Sequence, residues 1–398
     1  MDLFDKCNGF TRAKEAIAMG IYPYFRAIGS GADTEVNING QRLIMLGSNN
    51  YLGLTQHPKV IEAAIDATKK YGSGCTGSRF LNGTLTIHEK LEERLAHFMQ
   101  KEAALVFSTG FQTNQGTIST IIGKDDIVFA DRQNHASIVD GCRLAFGKTL
   151  KFKHNDIQDL ERLLTNCNNN HNNNCGKLVV VDGVFSMEGD IINLPELVKV
   201  AEKNNCRIMV DDAHSIGVIG EGGRGTASHF NLNDKVDITM GTFSKSLASL
   251  GGFIVGDESV IHYIKHHARS FIFSASPTPA AVASVIAALD ILESEPERVD
   301  MLWKNINKMK NGLESLGYNT LSSQSAIIPL LIGDEMDTFK FWRLLYDNGI
   351  FTNPAIPPAV EPGNGLIRTS YMATQTDEIL DKVLDIFAKV GKMSGIIN

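Results

Sequence analysis

A chain of 398 residues with 43% hydrophobic and 21% charged residues has the composition of a globular protein and can bury a large core. Its formal net charge of −7 leaves no basic excess for nucleic-acid phosphates, so an anionic substrate needs a local positive site. No run reaches the roughly 18–20 apolar residues of a membrane span. Met1–Gly9 lacks the pattern of a secretory leader, so the expected location is the cytoplasm, with a peripheral contact at the inner face of the membrane left open.

The first 56 residues read as an N-terminal arm, amphipathic to Met19 and strand-like at Glu35–Ile38 and Arg42–Leu46. From His57 two periodicities alternate. Apolar residues at helical spacing mark His57–Tyr71, Thr84–Phe98 and Asn114–Ile122. Short β-rich runs at Ile127–Ala130, Leu178–Val181, Arg207–Val210, Asp237–Met240 and Gly252–Val255 read as strands. Between two of them a helix is punctuated by Asn193 as N-cap and Pro195 in the first turn, and ends near Asn204–Asn205. Strands alternating with helices predict an α/β fold with a large, mostly parallel sheet covered on both faces, over residues 57–290. A long helical region, Pro279–Leu316, leads to a different texture: strands at Ile327–Ile332 and Gly365–Ser370 around a helix at Thr338–Asn348. This predicts a smaller C-terminal α/β domain over residues 291–398, with the proline-rich loop Asn353–Gly363 near the cleft.

The cysteines (Cys7, Cys75, Cys142, Cys167, Cys175, Cys206) are scattered and contain no CxxC pair, so they read as reduced thiols. Cys167, His171 and Cys175 lie in or beside the asparagine run Asn166–Asn174. They offer too few ligands for a closed metal site, and the run reads as a polar surface loop; no metal is expected.

In a parallel sheet, ligands gather beyond the C-terminal ends of the strands, and four polar motifs fall there. Lys245, in Gly241–Ser246, follows an apolar strand; it reads either as a surface lysine or as a desolvated amine able to form a Schiff base, with Thr242 and Ser244 as phosphate donors. Asp211 and His214 follow Ile208–Val210 and fit either a metal site or a carboxylate that keeps a pyridine ring protonated. Asp212 faces the other way and fits a turn cap. Ser108–Asn114 opens a helix and could cradle a phosphate on backbone N–H groups, or simply cap the helix. His135, in Asp131–Ser137, could stack on a flat ring or rest hydrogen-bonded in a loop.

Together with Ser48–Leu54, Gly77–Thr84 and Gly183–Asp190, these motifs occur in an order that resembles the α-oxoamine synthases, a branch of the fold-type-I pyridoxal-phosphate (PLP) enzymes, over nearly the whole chain. The resemblance implies that Lys245 carries PLP and acts as acid and base at Cα. It implies that Asp211 pairs with the ring nitrogen, that His214 and Ser186 reach the ring hydroxyl, and that His135 stacks on the ring. Gly110, Phe111, Thr242 and Ser244 would hold the phosphate, with Ser274 or Ser276 added from the neighbouring subunit of a homodimer. Arg368 would grip the amino-acid carboxylate with Asn49 and Ser78 nearby, and Arg26 would reach the CoA end. A narrower resemblance, carried by Met187–Leu197, Gly241–Gly252 and Leu366–Thr374, is to the members that condense L-serine with a long-chain acyl-CoA. Siblings use glycine or alanine with acetyl-, succinyl- or pimeloyl-type thioesters. Some members carry a second arginine about a dozen residues past the carboxylate-binding one; Thr369–Lys392 has none, so a swap of that kind is not expected here. A noncatalytic subunit of the same fold would have lost Lys245 or Asp211, and both are present.

Overall fold

The computed structural model describes residues 2–171 and 175–398. Thirteen strands form three sheets among the described residues: β1 (Glu35–Ile38), β2 (Gln41–Met45), β3 (Ala103–Phe107), β4 (Ile127–Asp131), β5 (Lys148–Phe152), β6 (Lys177–Asp182), β7 (Arg207–Asp211), β8 (Ile238–Thr242), β9 (Gly252–Gly256), β10 (Ile327–Gly333), β11 (Ile350–Phe351), β12 (Asn353–Ala355) and β13 (Gly365–Ser370). The large sheet has the order β3-β9-β8-β7-β6-β4-β5. Strands β5, β4, β6, β7 and β8 run parallel, and β9 runs against both its neighbours. Every residue of β4, β6, β8 and β9 is buried, which is the mark of a sheet covered on both faces and the reason these strands read as continuous apolar runs. One face packs Phe129, Val179 and Ile208 against Leu164 and Leu197; the other packs Val128, Val180 and Met209 against Ile118 and Ile138.

The helices expected from periodicity are present at Pro58–Tyr71, Thr86–Phe98 and Gly110–Ile121. The last begins before Asn114 because the Thr109 hydroxyl accepts the Gln112 N–H and starts the helix there. The long helical region is two helices, Pro279–Ser294 and Glu297–Ser315, interrupted at Pro296. Asn193 precedes the helix Leu194–Lys203, but its side chain makes no capping bond. One expectation is corrected. The asparagine run is not a loop as far as His171: the helix Ile157–His171 runs through it, because Leu160, Leu164 and Cys167 recur at helical spacing and bury against the sheet. Residues 172–174 lie outside the described residues.

The segment read as an arm does not stand apart. Its hairpin, β1–β2, pairs in parallel with β11, Ile44 opposite Ile350. The remaining sheet, β10-β13-β12, is antiparallel, and β12 forms inside the proline-rich loop. No helix among the described residues is long and apolar enough to cross a membrane.

Candidate active site

A cavity of about 230 Å³ opens beyond the C-terminal ends of β6, β7 and β8 and the start of the helix Gly110–Ile121. Lys245, Asp211, His135, His214, Ser186, Gly110, Phe111, Thr242 and Ser244 all line it. Residues from five separate stretches of chain thus converge because each follows, or sits at the end of, a buried strand.

Asp211 ends β7 and is 4% exposed. Its Oδ1 accepts the Ala213 N–H at 2.9 Å and its Oδ2 accepts the Asn114 amide at 2.6 Å. Asp212 faces elsewhere and accepts both the backbone N–H and the hydroxyl of Thr226, at 3.0 and 2.5 Å. Lys245 has no hydrogen-bond partner among the described residues. Burial lowers its pKa to about 8, with Arg368 acting in the same direction against the pull of Asp211 and Asp182. A half-buried amine of lowered pKa that no described residue engages is suited to nucleophilic attack on an aldehyde.

His135 stands at the N-terminus of the helix Ala136–Leu144, open to the cavity it lines. The Ser137 N–H donates to its Nδ1 at 3.2 Å, and the Ser137 hydroxyl lies 2.7 Å from the same atom. That hydroxyl accepts the second N–H of the Asn114 amide at 2.8 Å, so its own proton points to Nδ1. Nδ1 is therefore an acceptor, and the neutral ring carries its proton on Nε2. Burial lowers the His135 pKa and favours this neutral form; Asp211 opposes and Lys245 reinforces the shift. His214 is also held neutral, first by burial and then by the charges of Lys245 and Arg368; its Nδ1 lies 2.7 Å from the Tyr51 hydroxyl.

At the other side of the cavity, Thr242 donates to the Gly251 carbonyl at 3.0 Å and lies 3.0 Å from the Ser244 hydroxyl. A Cβ on Gly110 would come within 2.7 Å of Thr242 Oγ1, so the helix can begin this close to Thr242 only with glycine. The result is a helix N-terminus flanked by hydroxyls, a fit for a phosphate.

A second space of about 610 Å³ adjoins the first, sharing His135, Ser186, His214 and Lys245 and adding Asn49, Arg368 and the strap Asn353–Ala359. Arg368, 5% exposed on β13, donates from Nε to the Ser186 carbonyl at 2.6 Å and from Nη2 to Asn49 Oδ1 at 2.9 Å. It has no carboxylate partner among the described residues.

Four expected residues do not line either space. Ser274 accepts the Gln112 amide at 3.1 Å, and Ser276 donates to the Gly77 carbonyl at 3.1 Å. Ser78 Oγ is buried without a partner among the described residues. The Arg26 guanidinium lies over Trp342 and Tyr346, 5.1 and 4.8 Å from the ring centroids. Conversely, Asn114 bonds to Asp211, Ser137 to His135, Tyr51 to His214 and Asp182 to the His135 backbone, and no role was read for these four from the sequence. Asn114, Ser137 and Tyr51 lie inside the polar motifs themselves, and Asp182 ends an apolar strand just as Asp211 does.

The cavity fits PLP on this chain's own features: an unpaired amine, a buried carboxylate, a flanking imidazole and a glycine-dependent phosphate cradle. Residues 41–387 match the family described as aminotransferase class I and II. The chain belongs to that family. It is similar to a serine palmitoyltransferase of Sphingobacterium spiritivorum, 52% identical, covering 99% of this chain and 98% of the relative. It is also similar to an 8-amino-7-oxononanoate synthase of Treponema denticola, 44% identical over 97% of each. A solved structure of a serine palmitoyltransferase variant from S. paucimobilis, with a bound PLP–myriocin aldimine, is 36% identical, covers 100% of both chains and superposes with a TM-score of 0.96. Within the family the chain is thus a member of the fold-type-I α-oxoamine synthase group, and its cofactor is PLP.

Proposed function

We propose that this protein condenses L-serine with a long-chain acyl-CoA such as palmitoyl-CoA, releasing CoA and carbon dioxide and forming 3-ketodihydrosphingosine. The observation that carries the reading is that Lys245 shares one continuous space with a buried Arg368 that has no carboxylate partner among the described residues, in a chain 52% identical to a serine palmitoyltransferase. A buried guanidinium without an anion is costly unless a ligand supplies one. Two of its N–H groups are committed to Ser186 and Asn49 and the Tyr51 hydroxyl also interacts with it, which fixes the fork for the carboxylate of an amino acid.

When bound, PLP supplies an electron sink for the negative charge left at Cα. Asp211 would hold the proton of the ring nitrogen, and the hydroxyls of Thr242 and Ser244 with the N–H groups at Gly110 and Phe111 would hold the phosphate. The Lys245 amine, with its lowered pKa, would take the proton from Cα and later return it; acid–base steps of this kind contribute about 100- to 10,000-fold. The Nε2–H of His135 would donate to the substrate carboxylate and keep it beside Arg368. His214 and Ser186 would meet the ring hydroxyl. The working unit would be a cytoplasmic homodimer in which Ser274 or Ser276 completes the partner's phosphate site.

The test is CoA release from purified protein supplied with L-serine, glycine or L-alanine and thioesters of graded length. Serine with a chain near sixteen carbons should give the highest kcat/KM. Preference for alanine with a pimeloyl thioester would replace this reading with the oxononanoate one that the Treponema denticola relative suggests.

A further inference from the structure

Asp182 has no part in the roles given above. It ends β6 directly opposite Asp211 in the β6–β7 register, is 4% exposed, and lines the cofactor cavity. Two hydrogen bonds fix its position, and a third holds the asparagine that makes one of them. Its N–H donates to Asn134 Oδ1 at 3.1 Å, the Asn134 amide donates to the Val180 carbonyl at 2.8 Å, and Oδ2 accepts the backbone N–H of His135 at 3.0 Å. Its Oδ1 is buried and has no partner among the described residues. The neighbouring Asp211 has both oxygens engaged, so the cavity holds two adjacent buried carboxyls of which one keeps an unused oxygen. Lys245, His135 and Asp131 are the other titratable groups nearby. Burial, and then the charge of Asp211, push the Asp182 carboxyl well above the usual range, which favours an O–H that can donate a hydrogen bond.

We propose that Asp182 is a further positioning residue of the cofactor site, fixing His135 through Oδ2 and adding a second carboxyl beside Asp211 through Oδ1. It thereby supports both the affinity for PLP and the orientation of the bound ring. The inference rests on the cofactor site and is independent of which amino acid and thioester react.

The experiment compares Asp182→Ala and Asp182→Asn with the wild type, measuring the Kd of PLP by equilibrium dialysis and the visible circular dichroism per bound PLP. Melting of the PLP-free proteins reports any purely structural effect. Asp182→Ala should bind PLP at least tenfold more weakly and lose much of the induced dichroism. Asp182→Asn keeps an oxygen for the His135 N–H, so it should regain the dichroism while binding remains weakened about threefold or more. If Asp182→Ala does not fold, Asp182→Asn decides alone. Wild-type Kd in a folded Asp182→Ala protein, or in Asp182→Asn where only that variant folds, overturns the proposal, as does unaltered dichroism in Asp182→Ala.

Discussion

The two ends of the large sheet use the same kinds of charged residue in opposite ways. At the N-terminal end, Lys101 donates to the carbonyls of Asn233 and Val236 at 2.6 and 2.8 Å. There Asp237 accepts the Ile208 N–H and pairs with Arg207, and Asp126 accepts the N–H groups of Gly123 and Gly176. At the C-terminal end, among the described residues, Lys245 has no such partner, Oδ1 of both Asp182 and Asn114 is orphaned, and Arg368, which lines the adjoining space from β13, has no anion. Lysines at both ends have pKa values lowered by burial. What separates them is satisfaction: a lysine whose hydrogen bonds are met locally holds strands in place, and one whose bonds are not met is held ready for a ligand.

The sharpest test of that contrast is a pair of substitutions. Lys245→Ala should lower turnover by 100-fold or more while leaving the melting temperature of the PLP-free protein unchanged or higher. Lys101→Ala should do the reverse: each carbonyl left without its partner costs about 1–3 kcal/mol, visible in a denaturant titration, with kcat retained. Equal losses of activity in both variants would erase the distinction. Next, Arg368→Leu should raise the KM for the amino acid about ten- to a hundredfold with a smaller change in kcat, because hydrogen bonds to charged groups contribute about 1.5–3 kcal/mol; steady-state kinetics with varied serine measures it.

Two further measurements use pH. The nucleophilic form of Lys245 is the free amine, so the rate at which the PLP-free protein captures PLP should rise with pH and level off above about 8. A plateau only near the ordinary lysine range would show that Lys245 is not desolvated. His154 behaves oppositely. Burial disfavours its cation, but hydrogen bonds and charges from Asp131 and Asp190 outweigh this and raise its pKa to about 10. The folded value lies above the unfolded one, so the stabilisation is complete below about 6.5 and is lost as pH rises through about 10. Melting temperature should therefore fall between pH 8 and 10.5 more steeply in the wild type than in His154→Gln. The smallest expected effect comes from two helix caps. Thr109→Ala and Thr376→Ala each remove a hydroxyl that accepts a helix N–H, at 3.1 and 3.4 Å, and each should cost about 1 kcal/mol. Only Thr109→Ala, at the phosphate cradle, should also weaken PLP binding.

Which parts were readable from the sequence follows from the same physics. Asp211 and Lys245 were legible because each lies at or just beyond the end of a largely buried strand, where a charge is conspicuous. β5 was missed because Lys148–Phe152 forms the sheet's edge, with exposed lysines and only Phe152 buried. The bonds that make the site work join residues far apart in sequence: Asn114 and Asp211 are 97 positions apart, and Arg368 and Asn49 are 319. No local pattern encodes them. The asparagine-rich helix was misread for the complementary reason: composition suggested a loop, while the three apolar contacts that hold it to the sheet are spread thinly through polar residues.

The pairing of β2 with β11 has a consequence during synthesis. A ribosome releases Gln41–Met45 long before Ile350–Phe351 exist, so one edge of that hairpin must wait, uncovered, for some three hundred further residues. Buried in the finished protein, Leu43, Ile44 and Met45 would meanwhile offer other chains a place to add a strand. Aggregation of nascent or truncated chains should therefore begin there.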